Sequence, residues 1–564
     1  MLNYMLGKTP AACHFYPRLL LLAFVQNGLI LCLVGSLFSV VYAQDIPRQD
    51  SGVELQQQQQ KDILERKLTK PLVPWQAEPN KKTEPALDCI SIKTITLEDV
   101  SLLTVAEQNA LLQPYLNHCL TKLDINQLLQ HINNAYIAKG YITTRAYLPE
   151  QNVSDGHLIL HIIEGKIEDI RLNDNKRASD KTRVTYAFPT AVSSYLRLQD
   201  IEQGLDQLNR APSAQAQIAL EPSTEIGKTR VLIHTTDEKT WRGRVSFDND
   251  GEKSVGRTRL LLGIDKDNLF ERNDVWTLAA VRTADSRALS LTALIPYHYW
   301  TMLASYSTSS YDVPLTPTIR LAGSGQSSLL GVEYLALRNQ REQWSWTAQL
   351  AVKENERDIN SIVLTPDKVS SLRAGGRWFY RDQQRQAYVD MSLVKGLRIL
   401  GALKDPSGLT SAYPHHQFTK LELIGSLRQP VTAQWFWQSQ AKAQYSAQGL
   451  VGSEQLSMGG SDSVRGFTTA TAVGDMGLYW HNQWTHPSTV SWLPNMEYLV
   501  FVDGGIVKNL SSPPSHQLMG TGFGLHYRDN RWDASTQLSF PLYTDDALSS
   551  TESALLSIKL SLNY

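Results

Sequence analysis

The chain has few cysteines, almost no net charge and only one long apolar run. Its 564 residues include four cysteines and carry a formal net charge of −1. Without excess positive charge the chain has no bulk electrostatic attraction for nucleic acid, so no nucleic-acid partner is predicted. The apolar run spans about residues 19–41 and is the only segment that could form a hydrophobic helix, which argues against a helical membrane protein.

This apolar run has the features of a secretory signal peptide. Lys8 and Arg18 precede it, and the small residue Ala43 follows its end. A basic start, an apolar middle and a small residue at the cleavage position predict a signal peptide over residues 1–43. A retained anchor helix is the alternative, although the polar Asn27 interrupts the apolar run.

Removal of the signal peptide changes the cysteine content. Cys13 and Cys32 leave with it, whereas Cys89 and Cys119 remain. Two cysteines in an exported chain favour one disulfide, which would stabilise its domain by about 3–4 kcal/mol. Without a matched histidine pair these cysteines cannot complete a tetrahedral zinc shell, so no metal site is predicted.

The motifs of common enzymes are absent from the sequence. It contains no His-Glu-x-x-His and no Gly-x-Ser-x-Gly, and Gly227-Lys-Thr229 lacks the earlier glycine of a phosphate loop. The 13 histidines are scattered, and His415 and His416 are predicted to be solvated at the edge of a strand. No catalytic residue, no cofactor and no enzymatic activity is therefore predicted.

Residues 44–88 form a low-complexity leader. A glutamine run occupies 56–60, and a weak apolar stripe at helical spacing begins at Leu55 and ends at Leu68. Three prolines follow, at positions 71, 74 and 85. This pattern predicts a short polar helix and then an extended linker, with a disordered tail as the alternative.

Residues 89–165 have the pattern of a compact α+β unit. The predicted elements are, in order, a strand at 90–95, helices at 105–113 and 125–139, and strands at 141–148 and 157–164. Residues 166–240 repeat this plan. There we predict a strand at 167–172, a helix at 199–209 and strands at 215–220 and 229–235.

From Trp241 to the end of the chain, the hydrophobic pattern has a period of two residues. Sixteen candidate strands can be counted between 242 and 564. In the last one, Leu562 and Tyr564 share an apolar face with three other residues, and serine, lysine and asparagine occupy the opposite face. Apolar residues outside and polar residues inside are typical of a transmembrane β-barrel. A soluble sandwich would have the opposite arrangement, with its apolar residues inside. The even strand count and the signal peptide favour the barrel.

Two charged residues stand out within the barrel region. Arg465 lies in a glycine-rich loop between the eleventh and twelfth predicted strands, over about 448–475, and Asp503 lies on the thirteenth strand among apolar neighbours. A lone charge facing a barrel interior is costly unless it is solvated or paired. Opposite charges at these positions predict a loop that folds into the lumen and is held there by an ion pair between them. The pair is expected to lie in a wet lumen.

The segments Val464-Arg-Gly-Phe467 and Phe501-Val-Asp-Gly-Gly505 resemble the signature of the outer-membrane transporters of two-partner secretion, the TpsB family. The order β-α-α-β-β is that of a POTRA domain, and the stretch from Lys139 to Pro149 resembles the first POTRA of that family. The resemblance implies a membrane β-barrel of about 16 antiparallel strands, preceded by two small α+β POTRA domains and an N-terminal helix that plugs the barrel. It also implies that Val464, Gly466, Phe467, Phe501 and Gly505 support the lock between Arg465 and Asp503.

In function, the resemblance implies a pore in the outer membrane of a Gram-negative bacterium, with its POTRA domains in the periplasm. Its partners would be a large secreted exoprotein of adhesin or haemolysin type with an N-terminal secretion domain, the outer-membrane lipid and the barrel assembly machinery. An insertase of the same superfamily is the alternative, and a passive porin would not need POTRA domains.

Six residues outside the lock are also predicted to have roles, from the strand pattern and from the placement of the two α+β units ahead of the barrel. We expect Tyr564 and Leu562 to act as the barrel assembly signal at the end of the chain. Client contacts are predicted on the POTRA faces at Tyr136, Tyr141, Arg145 and Arg210.

Overall fold

The computed structural model describes residues 51–68, 89–173, 177–236, 239–364, 366–511, 515–545 and 552–564. The predicted signal peptide and the predicted linker after residue 68 lie outside these ranges. Among the described residues, no helix is both long and apolar enough to cross a membrane.

The predicted N-terminal helix is present and spans Ser51–Leu68. It lies against the inner wall of the barrel, where Leu55 is buried beside Val281 and Ala288. Its glutamine run is therefore a contact surface: Gln56 and Gln59 are buried within the protein.

The first α+β unit has the predicted elements and one strand more. Its elements are strands Cys89–Ile92 and Thr94–Glu98, helix Val105–Leu112, a 3-10 turn Gln113–Tyr115, strand His118–Thr121, helix Lys122–Ala138, and strands Arg145–Tyr147 and His157–Ile163. The single first strand predicted from the sequence is divided, and its first part pairs with the unpredicted strand His118–Thr121. The second helix begins earlier than predicted because the Thr121 side chain accepts a hydrogen bond from the Asp124 amide and caps it.

The disulfide joins the two strands of that added pair. In their register Cys119 lies opposite Ser91, and the Cα atoms of Cys89 and Cys119 are 5.4 Å apart. The bond therefore fastens the start of the unit to the segment that leads into its long helix.

The second α+β unit contains a helix that the sequence did not predict. Its elements are strand Lys166–Leu172, helices Ala178–Ala187 and Leu198–Leu208, and strands Gln217–Pro222 and Lys228–His234. The unpredicted helix is Ala178–Ala187, whose sequence is largely polar and whose only buried residues are Asp180 and Ala187. Ile142 from the first unit is buried in the core of the second, so the two units share a packed joint.

Sixteen antiparallel strands form a closed barrel, and all sixteen overlap the predicted ones. They are Trp241–Asp248, Arg259–Asp267, Val275–Arg282, Ser286–Tyr297, Trp300–Thr316, Ile319–Arg338, Glu342–Ile359, Asp367–Arg381, Gln386–Leu397, Thr419–Pro430, Phe436–Ser446, Met476–Pro487, Met496–Lys508, His516–Arg528, Trp532–Thr544 and Leu555–Asn563. A short strand, Ile362–Val363, pairs antiparallel with the end of the seventh, ahead of the eighth. The fifth to seventh strands are the longest, at 17, 20 and 18 residues.

The last strand closes the barrel against the first. Leu562 lies opposite Val245 in this seam, and the Tyr564 amide donates to the Gly243 carbonyl at 2.9 Å while its own carbonyl accepts from the Gly243 amide at 3.0 Å. Leu562 is 40% exposed on the outer face and lies at the end of its strand. Both residues of the predicted assembly signal thus lie at the closing seam, and the signalling role itself stays a prediction.

The two adjacent histidines in the loop after the ninth strand are not solvated as predicted. His415 is 5% exposed, and the ring of His416 lies between Asp367 at 2.9 Å and Asp405 at 3.2 Å. The prediction was wrong because pairing of Pro414 and His415 with Gly449 and Leu450 encloses this segment.

Candidate translocation lumen

The loop between the eleventh and twelfth strands folds back on itself inside the barrel. Its strands Leu456–Met458 and Ala472–Gly474 pair with each other and frame the glycine-rich turn. Gly459, Gly460 and Gly466 have φ of +108°, +99° and +96°, a backbone region that side-chain-bearing residues rarely adopt. These glycines therefore make the tight reversal of the loop possible.

Arg465, at the tip of this loop, forms a two-pronged ion pair with Asp503 on the barrel wall. Its Nε lies 2.7 Å from Asp503 Oδ2, and its Nη2 lies 2.9 Å from Asp503 Oδ1. The backbone amides of Arg465 and Asn482 also donate to this carboxylate, at 3.1 and 3.0 Å. A planar guanidinium that meets a carboxylate in this way fixes orientation as well as distance.

The pair is buried, contrary to the expectation of a wet lumen. Arg465 is 4% exposed and Asp503 is 1% exposed. Below the guanidinium lies the Phe501 ring, with its centroid 3.6 Å from the Arg465 Cζ atom. Burial makes the loss of either partner costly, because the remaining charge would be desolvated and unpaired.

An apolar cluster packs the rest of the loop against the wall. Val464 is fully buried and Phe467 is 4% exposed. Their neighbours in the cluster, from the loop and the barrel wall, are Leu456, Met458, Ala472, Val507 and Leu518. The loop therefore has a small hydrophobic core of its own within the barrel.

Two glycines of the wall allow the loop to lie this close. A Cβ added at Gly505 would collide with the Met458 sulfur, and one at Gly520 would collide with the Arg465 carbonyl oxygen. Gly505 was identified from the sequence as part of the lock segment, whereas Gly520 was not, because nothing in its own strand indicates that a loop approaches it.

Further polar residues that sequence reasoning missed also hold the loop. Arg465 donates to the Gln483 side chain at 3.2 Å and to the Asn482 carbonyl at 3.1 Å. At the loop base, Glu454 lies between Lys353 and Lys420, each at 2.9 Å. These residues are far apart in sequence, so no local pattern could have brought them together.

The N-terminal helix meets the wall mainly through neutral hydrogen bonds. Gln56 accepts from the Ser327 hydroxyl at 2.9 Å, and Gln59 accepts from Ser290 at 2.8 Å and Thr292 at 2.7 Å. Three ion pairs also hold the helix: Glu54 with Arg259 at 2.8 Å and Asp62 with Arg244 at 3.4 Å connect it to the wall, and Lys61 with Asp462 at 2.7 Å connects it to the loop. Helix and loop together occupy the lumen.

Helix Leu198–Leu208 of the second α+β unit docks on one rim of the barrel. Gln203 and Gln207 donate to the His298 carbonyl at 2.8 and 2.7 Å. Arg338, at the end of the sixth strand, lies 3.1 Å from Glu202 and 2.6 Å from Asp206. These contacts identify that rim, where the odd-numbered strands begin, as the end that faces the α+β units.

Behind this docked helix, a cavity of about 120 Å³ opens toward the lumen. Arg210 lines it, together with Asp62 of the N-terminal helix and Glu333 and Arg381 of the wall. Arg210 is thus at the mouth of the barrel, away from the other three predicted contact residues, which belong to the first α+β unit. Burial lowers the pKa of Arg210 from its ordinary value.

The three predicted contact residues of the first unit differ in accessibility. Tyr136 is fully buried, and its hydroxyl donates to Glu164 at 3.1 Å; burial, with the nearby Glu164 carboxylate, raises its pKa. Tyr141 packs against the same core. Arg145 donates to the carbonyl oxygens of Ile142 and Thr144 at 2.7 and 2.8 Å. Burial argues against direct client contact by Tyr136, and the roles of the other two stay predictions.

Sequence reasoning missed a more exposed pair beside Arg145. Tyr147 and Leu148 are 51% and 46% exposed. Tyr147 ends the strand Arg145–Tyr147, which is one of the two edge strands of its three-stranded sheet. The edge position could have been found only from the sheet order, which the hydrophobic pattern does not give.

Comparison with known proteins gives a consistent result over almost the whole chain. The family model "Haemolysin secretion/activation protein ShlB/FhaC/HecB" matches residues 227–527. The model "POTRA domain, ShlB-type" matches 90–165, and a second POTRA model matches 166–222.

Individual relatives agree with these models. The chain is 32% identical to the outer membrane transporter CdiB of Dickeya dadantii over 86% of this chain and 89% of that protein. It is 30% identical to the hemolysin transporter protein ShlB of Serratia marcescens over 72% of this chain and 74% of that protein. The solved structure of CdiB from Escherichia coli superposes with a TM-score of 0.84 at 27% identity, covering 91% of this chain and 98% of that one.

The fold is therefore a sixteen-stranded outer-membrane barrel preceded by POTRA domains, as the sequence predicted. With a family model matched over more than half of its length and a relative 32% identical across most of both chains, this protein belongs to the haemolysin secretion/activation family ShlB/FhaC/HecB.

Proposed function

We propose that this outer-membrane transporter exports one large exoprotein of adhesin or haemolysin type, captured in the periplasm through an N-terminal secretion domain. The observation that carries the proposal is the folded loop held in the lumen by Arg465 and Asp503, in a chain of the secretion family. A passive porin would need neither the POTRA domains nor an occupied lumen. The insertase alternative is less well supported, because relatives are named as transporters.

In this proposal each domain has its own role, within the following boundaries. Residues 1–43 are a signal peptide, 44–88 a helix and linker, 89–165 and 166–240 the two POTRA domains, and 241–564 the barrel. After export of the chain itself, outer-membrane lipid and the barrel assembly machinery are its partners during insertion. Tyr564 and Leu562 at the closing seam act as the assembly signal in this scheme.

The contacts inside the lumen suggest which element moves when a client passes. The helix is held by neutral glutamine hydrogen bonds, each worth a net of about 0.5–1.5 kcal/mol, and by three partly exposed ion pairs. The loop is held by a buried two-pronged ion pair and a packed apolar cluster. We propose that the helix leaves the lumen first and that the loop keeps its anchor on Asp503.

Client capture is proposed at the open edge of the first POTRA sheet. Strand Arg145–Tyr147 is an edge strand with Tyr147 and Leu148 exposed beside it, and on its outer side the Ala146 amide donates to the Asn133 side chain at 2.8 Å, a bond that an added client strand would replace. An extended client segment can add to such an edge through backbone hydrogen bonds while its side chains contact exposed apolar groups. The cavity that Arg210 and Glu333 line then leads from the second POTRA domain toward the lumen. No ATP is needed if the client folds outside the cell.

The test is a secretion assay in which the protein is produced together with a large exoprotein that carries an N-terminal secretion domain. We expect deletion of residues 89–165 to leave a heat-modifiable, inserted barrel that secretes nothing. Replacement of Tyr147 and Leu148 by serine should weaken secretion, whereas Glu150→Gln, a change at a neighbouring exposed site, should not. Normal secretion by the deletion variant would refute client capture by this domain.

A further inference from the structure

The outer face of the barrel carries two arginines directly opposite each other at the rim away from the POTRA domains. Arg282 ends the third strand, Arg287 follows the start of the fourth, and the register pairs them across the hairpin. Like charges at directly opposed positions in a sheet repel, and their Cβ atoms are typically about 5 Å apart. The repulsion between them therefore favours the binding of an anion close by.

Both side chains point to the lipid side of the wall. Arg287 is exposed in a row with Leu289 and Leu291, which are 46% and 42% exposed, while the alternate residues of the strand are buried. Arg282 is likewise exposed beyond Leu278, and its neighbour Val281 is buried. The guanidinium groups thus lie outside the barrel and not in the lumen.

The height of the pair matches the headgroup region of the membrane. The outward row of the fourth strand begins at Arg287 and ends ten residues later at Tyr297, beside the docked POTRA domain. Ten residues of a strand tilted by about 40° span about 25 Å, the height of the apolar band of such barrels. Tyr297 thus marks one membrane interface, and the arginine pair marks the other.

No carboxylate of the described residues forms an ion pair with either arginine. Arg287 donates only to the Ser310 hydroxyl, at 3.0 Å, and Arg282 has no side-chain partner in the described ranges. The cleft above them, of about 580 Å³, also contains acidic residues. Of these, Asp312 is 2.9 Å from Arg320 and is neutralised by it, whereas Asp285, in the turn between the two arginines, and Asp358 line the cleft without forming an ion pair with Arg282 or Arg287. Glu356 lies three strands away from Arg287 along the register, a distance of about 14 Å.

We propose that Arg282 and Arg287 bind a phosphate group of a phosphorylated glycolipid in the outer leaflet. The planar donors of two guanidinium groups suit phosphate oxygens, and the leucine rows below them suit the acyl chains of the same molecule. Ser310 and the facing Ser324 supply hydroxyl groups at the same level. Binding of this anion relieves the repulsion between the arginines and fixes the third and fourth strands at the membrane surface.

The test uses the full-length protein in detergent, with bisphosphorylated lipid A, its dephosphorylated form and inorganic phosphate as probes. Native mass spectrometry gives the occupancy of each. We expect the phosphorylated lipid to bind about tenfold more tightly than the dephosphorylated one, the effect of losing one charge-assisted contact. Arg282→Gln with Arg287→Gln should abolish this preference, and Arg282→Lys with Arg287→Lys should retain part of it.

A matched control removes the same charge elsewhere. Arg385→Gln with Arg531→Gln changes two exposed arginines in turns on the opposite rim and should keep the full preference. Heat-modifiable mobility verifies the fold of every variant. A wild-type protein without phosphate preference, or a glutamine double variant that keeps it, would overturn the proposal. Full competition by millimolar inorganic phosphate would also overturn it, because it would indicate a site for the free ion.

Discussion

The POTRA domains and the barrel use the same alternation of apolar and polar residues in opposite senses. In the first POTRA domain, Leu158 and Leu160 of one strand are fully buried in a dry core. In the barrel, Ser561 is 3% exposed on the inside, whereas Leu560 is 44% exposed on the outside. The period of the pattern therefore predicts a strand in both regions. Only the surrounding solvent, water or lipid, decides which face is apolar.

The lumen itself combines both kinds of interior. Most inward-facing wall residues are polar, yet the loop that carries Arg465 has a packed cluster around Val464 and Phe467 like that of a soluble domain. A small folded core inside a polar barrel explains how a loop can be fixed without a rigid plug. It also predicts that the loop is more sensitive to substitution than the polar wall around it.

The largest effect is expected for the buried pair at the loop tip. Arg465→Ala leaves the Asp503 carboxylate desolvated without its cation, and Asp503→Ala does the reverse, a loss that costs about 3–5 kcal/mol for buried pairs. We expect either variant to lower secretion strongly while insertion, measured by heat-modifiable mobility, stays largely intact. The amount of exoprotein in the medium is the readout.

Two further variants sharpen this prediction. Lys61→Ala removes an ion pair with Asp462 whose side chains are 37% and 70% exposed, and it should change secretion little. The charge exchange of Arg465→Asp with Asp503→Arg should restore little activity, because the amide of Asn482 would then face a guanidinium. Normal secretion by both alanine variants would show that the pair is dispensable.

A smaller effect is expected from substitutions that place a lysine on the lipid face, or an apolar residue on the inner face, of the last strand. Ile558 is 46% exposed on the lipid side, and the adjacent Lys559 faces the lumen. Ile558→Lys should reduce the amount of inserted barrel, since a lysine on the lipid face costs about 2–4 kcal/mol at the midplane. Lys559→Ile, which adds an apolar residue to the inner face, should insert normally. Equal insertion of the two variants would contradict the assignment of the faces.

Strand periodicity was strong enough to predict the whole barrel, whereas the POTRA domains were predicted less completely. Barrel strands of 8–20 residues repeat the period many times, so each is recognised by itself. Strand His118–Thr121 has only four residues, and its place depends on pairing with Cys89–Ile92. Helix Ala178–Ala187 has a polar sequence and is fixed by packing against its neighbours.

The same limit applies to the site. Arg465 and Asp503 could be paired from the sequence because each is a lone charge in a segment, a glycine-rich loop or an apolar strand, where burial without a partner would be unfavourable. Glu454 could not be assigned to Lys353 and Lys420, since each of these residues alone is an ordinary lumen charge. Tyr136 was predicted on a contact face, since the sequence does not show which elements pack over it. In the structure it belongs to the core of the first POTRA domain.

The smallest effect concerns an exposed carboxylate in the first POTRA domain. Glu107 caps helix Val105–Leu112, accepting from the Thr104 amide at 2.9 Å and from Lys139 Nζ at 2.7 Å. The Lys139 hydrogen bond and those from Thr104 lower the pKa of Glu107 from 4.5 to about 2. Because the folded-state pKa is depressed, its contribution is fully present above about pH 4.5 and is lost as the pH falls toward 2.

Glu107→Gln should therefore weaken this helix at neutral pH. Its effect should shrink at low pH, where the wild-type Glu107 side chain is itself protonated. Hydrogen exchange of the peptide covering Val105–Leu112, measured in the full-length protein, should be about fivefold faster in the variant at pH 7, the size expected for a lost helix cap. The ratio of variant to wild type should approach one near pH 2. Glu150→Gln, at an exposed site of the same domain, controls for the change of charge. A ratio that stays constant with pH would show that the cap does not depend on the ionised carboxylate, and the titration argument for this domain would fail.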